Sequence, residues 1–181
     1  MTQDLKLPER LSKDAMRAYG KKEYGSAAQD FESARKAYID AGEDVLAAEM
    51  ANNLSVTFIQ MDRANDALSI VEGTPQIFLT HGNQQLAGRA YGNLAAALEA
   101  NGQGQEALEY YQLAAQIFSE EEDKEGYALT MQAISRLQLR LGQPIEAVST
   151  MQVGLEAMPK SGLRDRLLKK LIDIPTRLMG S

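Results

Sequence analysis

The chain of 181 residues has no cysteine, no tryptophan and a single histidine, and each absence removes a class of chemistry. Without cysteine there are no disulfides, no thiolate metal sites and no Cys-His nucleophile, a composition that suits a reducing compartment. One histidine forbids two-His metal sites, and the lack of a partner set leaves His81 as a solvated helix-end residue rather than a ligand or base. Aromatics make up only 6% of the chain, so alanine and leucine must carry the packing. No run of 18 apolar residues is present, the N-terminal MTQDLKLPER has no apolar stretch of signal-peptide type, and the reading is a cytoplasmic protein. Val, Ile and Thr never alternate long enough to make a strand, which excludes a sheet. Nineteen basic against 25 acidic residues give a net charge of −6, so a phosphate backbone would be repelled and nucleic acid is not an expected partner.

What is present is periodic. From Tyr91 the apolar residues fall at Leu94, Ala95 and Leu98; Asn101 to Gly104 break the pattern; a second stripe follows at Ala107, Tyr111, Ala114 and Phe118. Both spacings belong to one face of a helix, and the break between them is a helix-helix turn. Gly102-Gln103-Gly104 lacks the preceding strand and the following Gly-Lys-Ser/Thr of a phosphate loop. Counting forty residues either way from Ala107 reaches Ala27, Ala67 and Ala147 without an insertion. The same register aligns Phe31, Val71, Tyr111 and Met151, then Tyr38, Phe78, Phe118 and Met158, then Leu54, Leu94 and Ile134. Self-similarity at such a period marks stacked supersecondary units that cannot bury their apolar faces alone.

Tyr91, Leu94, Ala95, Leu98, Ala107 and Tyr111 resemble the tetratricopeptide pattern W-x2-L-G-x2-Y followed by A-x3-F, with Pro159 where the closing proline falls. HEAT and armadillo repeats share the longer period, but the Ala-x3-aromatic signature and short Gly turn favour the tetratricopeptide resemblance. The units exceed the usual length of about 34 residues, which implies longer helices. Asp14 in the first unit and Gln138 in the fourth interrupt otherwise apolar columns, as terminal units of a solenoid allow. Gly73, Thr74 and Pro75 fall inside the second helix of the second unit, and the expectation there is a kink or split, with Thr74 as N-cap and Pro75 as first residue.

The resemblance implies an all-α, right-handed superhelical solenoid of four antiparallel helical hairpins with a C-terminal capping helix, in one domain spanning 1–181. The expected repeats are about 8–47, 48–87, 88–127 and 128–161, and the last helix about 162–179. That last segment places Leu163, Leu167, Leu171 and Ile174 on one face among five basic residues and two acidic ones, a net +3. It can cap the open end of the solenoid or, less favoured, lie on an anionic membrane. The run Glu120 to Asp123 reads as a solvated loop rather than a cation site.

By the same resemblance the first helix of each hairpin lines a concave groove. Its face presents Glu9, Ser12, Met16 and Tyr19, then Glu49, Asn52, Val56 and Ile59, then Arg89, Gly92, Ala96 and Glu99, then Leu129, Gln132, Arg136 and Leu139. Met16, Tyr19, Val56 and Ile59 form an apolar strip on the side away from the hairpin stripes, unless they pack between neighbouring first helices. Asn52 can bond a peptide backbone, and Arg89 and Arg136 can meet acidic groups. These seven are the candidate peptide-binding residues. The asparagines Asn52 and Asn53 have no basic partners, so the carboxylate-gripping activity of one subfamily is not expected. The reading is a protein-protein interaction scaffold that binds a peptide or protein segment and is not an enzyme, with no catalytic residue, cofactor or metal. The alternatives are a regulatory or sensing module of a larger assembly and, far behind, an enzyme that uses groove carboxylates.

Overall fold

The computed structural model describes residues 6–157, and all of them lie in helices or the turns between helices. In chain order the helices are α1 (Lys6–Gly20), α2 (Tyr24–Asp40), α3 (Asp44–Gln60), α4 (Ala64–Val71), α5 (Thr74–Thr80), α6 (Gln84–Ala100), α7 (Gly104–Glu120), α8 (Lys124–Arg140) and α9 (Pro144–Ala157). Each packs mainly on its chain neighbours: α1 on α2, α2 on α3, α6 on α7, α7 on α8 and α8 on α9. Helices α3 and α6 also meet across the α4–α5 pair, so the first helices stack side by side. Met158, Pro159 and the expected helix over 162–179 lie outside the described residues.

The alanine column explains the spacing. Ala27, Ala67 and Ala107 are 0% exposed and Ala147 is 1% exposed, so each second helix presses a methyl group, and nothing larger, against its first helix. The other columns fill the space this close approach leaves. Phe31, Val71 and Tyr111 are buried, as are Leu54, Leu94 and Ile134, and as are Tyr38, Phe78 and Phe118. Their clusters run along the chain: one joins α1, α2 and α3, one joins Ala48, Phe78, Ala87 and Ala90, and one spans Ala67 to Leu137.

The turns repeat in the same register. Lys22, Asp62, Gly102 and Gly142 all have positive φ, and so do Gly42, Gly82 and Glu122 in the alternate turns. After each of them an N–H reaches back five residues, as in Glu23 to the carbonyl of Ala18 and Gln103 to that of Leu98, both at 2.9 Å. This is the closure that a left-handed residue gives a helix C-terminus. Glycine holds four of the seven positions. The acidic run Glu120 to Asp123 resolves into such a turn: Glu122 supplies the left-handed residue, and Asp123 caps α8 by accepting from the Gly126 N–H at 2.8 Å.

The second unit splits as expected, though by a different device. Gly73, at φ +82°, takes the N-cap place, and Thr74 and Pro75 are the first two residues of α5. The Thr74 hydroxyl does not cap α5; it donates backward to the carbonyl of Val71 at 2.9 Å. The last residue of α4 therefore keeps a partner that the broken helix would have denied it.

Candidate functional site

Helices α3, α6 and α8 bring their outward faces around a cleft of about 590 Å³. Asn53 and Val56 come from α3, Arg89, Gly92 and Asn93 from α6, and Leu129 and Thr130 from α8, with Asp123 and Glu125 on the rim. A smaller recess of about 110 Å³ opens beside it, sharing Asn53, Arg89 and Asn93 and adding Glu49 and Asn52. Glu49 is half-buried there, and burial pushes its carboxyl above the usual carboxylate range while the Arg89 guanidinium pulls the other way.

Gly92 lines the cleft from the middle of α6. Glycine inside a helix costs about 1 kcal/mol relative to alanine, and usually a close neighbour explains it. Gly88 and Gly126 have such neighbours, because a β-carbon on either would meet the Phe118 ring at 3.1 and 2.8 Å. At Gly92 a β-carbon would meet nothing within 4 Å. Packing among the described residues does not require that glycine, and its absence of a side chain leaves the backbone of α6 open to the cleft.

Of the seven sequence-derived site residues, the structure brings Val56 and Arg89 together in the cleft. Asn52 departs from expectation. It is buried, and its amide is spent inside the protein: Nδ2 donates to the carbonyl of Ala48 at 3.0 Å and to the Thr74 hydroxyl at 3.3 Å, and Oδ1 accepts from Asn93 Nδ2 at 3.1 Å. Thr74 stands in the column of Ala34 and Ala114, which are buried in the unbroken helices too, and its hydroxyl at that place meets the Asn52 amide. Tyr19 and Ile59 are half-buried against the first and third core clusters, and Met16 is exposed. Burial raises the phenol of Tyr19, with its neighbour Tyr24 adding to the effect.

Arg136 is exposed and lies near Tyr111, whose phenol burial raises and Arg136 lowers. The Tyr111 hydroxyl donates to Glu99 at 3.0 Å, and Arg140 pairs with the same carboxylate, so Glu99 is neutralised within the chain. Sequence reasoning missed Asn93 and the role of Gly92, although the pair Asn53 and Asn93, forty residues apart, was a signal that could have found the first.

The model of the tetratricopeptide repeat family matches residues 86–160, the stretch that holds α6 to α9. Residues 86–160 carry tetratricopeptide repeats. Among solved structures, aspartyl phosphate phosphatase F from Bacillus subtilis aligns with a TM-score of 0.78 at 16% identity, over 96% of this chain and 43% of its own. A Podosopora anserina protein of nearly identical tetratricopeptide-like repeats gives 0.73 at 17%, over 86% and 76%. The Rap conjugation gene regulator of plasmid pLS20, solved with the Phr* peptide, gives 0.69 at 21%, over 93% and 44%. This repeat chain thus spans less than half the length of the phosphatase and of the regulator, and at these identities the likeness establishes the fold. No curated protein matches it in sequence. Among the described residues no group of three or more His, Asp or Glu is placed to hold a metal ion, and no helix is long and apolar enough to cross a membrane.

Proposed function

We propose that this repeat chain is an interaction adaptor that holds a peptide segment of a protein partner in the cleft between α3, α6 and α8. The observation that carries the reading is Gly92, a mid-helix glycine that no described neighbour requires, in a cleft of mixed apolar and polar lining. Val56 and Leu129 offer the apolar contact, Asn53 and Arg89 the polar contact, and an extended or helical segment fits such a groove. The regulator from pLS20, of the same fold, was solved with a peptide.

The test begins with peptides selected from a random display library against the purified chain. Gly92→Leu should abolish binding of the selected peptides and Arg89→Glu should weaken it, with helicity and melting unchanged, while Gly92→Ala should keep binding and gain about 1 kcal/mol of stability. Peptides that bind the Gly92→Leu chain as well as the parent would place the site elsewhere. The reading as a regulatory or sensing module has one observation in its favour: Asn93, in the cleft, is tied through Asn52 to Thr74 at the helix break. A peptide that takes over the Asn93 amide would then loosen the α4–α5 junction, and a peptide-dependent change in solution scattering would separate this from a static adaptor.

A further inference from the structure

The last hairpin has a face that its own repeat register marks as unfinished. In the third unit Leu108, Tyr111 and Ala115 on α7 are buried in one cluster with Ile134 and Leu137 of α8, the helix that begins the next unit. Forty residues on, the same positions on α9 are Val148, Met151 and Leu155, and they line a cleft of about 400 Å³ with Leu139 of α8. Leu108 is 7% exposed, whereas Val148 is 69% and Leu139 is 56% exposed. This is the slot a following first helix would fill. It is almost wholly apolar, and no described residue covers Val148.

We propose that residues 163–179 of this chain occupy that slot as the first helix of a fifth unit, in the register of the other four. Three observations support this occupant. The segment follows α9 after a short connection, as each first helix follows the hairpin before it. Its apolar residues fall in the established columns: Leu167 corresponds to Ala87 and Tyr127, Leu171 to Tyr91 and Met131, and Ile174 to Leu94 and Ile134. Its charge is complementary, since residues 162–179 are net +3 while α9 carries Glu146 and Glu156 and no basic residue. Pro175 follows Ile174 and so breaks the helical pattern only after these three anchors have been placed.

The chain has no native cysteine, so paired cysteines test the register directly. Met151→Cys with Ile174→Cys replaces the counterparts of Tyr111 and Ile134, and Met151→Cys with Lys170→Cys is the control on another face. Under mild oxidation the first pair should close within one chain, and the control should close about tenfold more slowly, because bridging needs adjacent β-carbons. Cross-links between chains, no cross-link, or equal rates for both pairs would overturn the proposal. In the chain without cysteines, Leu171→Asp with Ile174→Asp should speed amide exchange in α9 about tenfold while leaving α2 unchanged. Unchanged exchange in α9, or binding of the parent chain to phosphatidylserine vesicles through this segment, would equally count against it.

Discussion

Helix α7 and the pair α4–α5 occupy the same frame, forty residues apart, yet one is continuous and the other is cut by Gly73 and Pro75. The cut leaves the packing intact. Val71 and Phe78 on either side of it are 0% and 1% exposed, as well buried as Tyr111 and Phe118 in the unbroken helix. What the unit needs, then, is its side chains at fixed places against α3 and α6, and helical continuity is one of two ways to supply that. The other way is local. Gly73 turns left-handed, Thr74 closes the end of α4 with its hydroxyl, and Asn52 of α3 holds Thr74 in place.

The strongest way to break this equivalence is to empty the aromatic column. Phe78→Ala and Phe118→Ala should each cost about 3–5 kcal/mol in urea unfolding, and a markedly smaller loss at Phe78 would show that the cut unit is held less firmly. Ala107→Leu should come next, at about 1–3 kcal/mol of overpacking. Ala67→Leu should cost less, since the eight residues of α4 can shift against α3 more easily than the seventeen of α7. Thr74→Val removes only the hydroxyl, leaves the Val71 carbonyl and one Asn52 hydrogen short of a partner, and should cost about 1 kcal/mol. Its counterpart Ala114→Val tests volume alone in the unbroken helix.

The smallest effect concerns Glu49, beside the cut unit. Burial raises its carboxyl in the folded chain above the usual carboxylate range, so the folded state holds that proton more tightly than the unfolded state. This contribution favours folding at acid pH and is lost as pH rises through the raised value. Glu49→Gln should therefore melt slightly above the parent near neutrality, and the difference should vanish at or below about pH 4. Equal melting at both pH values would mean that Arg89 offsets the burial in full.

The repeat frame was legible because helix packing at one methyl's distance tolerates only small residues, so Ala27, Ala67, Ala107 and Ala147 had to recur. The break at Gly73 was legible for an equally local reason, since proline lacks the donor a continuous helix needs. The site was legible only in part. Helical periodicity names the face a residue belongs to, and Val56 and Arg89, read onto such faces, line one cleft. It does not say which neighbour reaches over that face. Asn52 shares its face with Val56, but Thr74 of another helix engages its amide. Gly92 had the opposite problem: nothing in a sequence separates a glycine crowded by a ring, such as Gly126, from one that faces open space.

The serines show one more consequence of the frame. Ser55 donates to the carbonyl of Ala67 at 2.8 Å and Ser135 to that of Ala147 at 2.7 Å, whereas Ala15 and Ala95 stand at the same place in the first and third units. The second and fourth hairpins thus carry a rivet between a serine and the alanine column, the third is tied instead by the Tyr111 hydroxyl to Glu99, and among the described residues the first has no side-chain hydrogen bond between its two helices. A chain drawn out by its ends should shear first within the first hairpin, where one helix can slide along the other without breaking a side-chain hydrogen bond. The stack is a column of unequally fastened members, and the cleft on α6 is carried by one whose fastening is a carboxylate shared with Arg140 of α8.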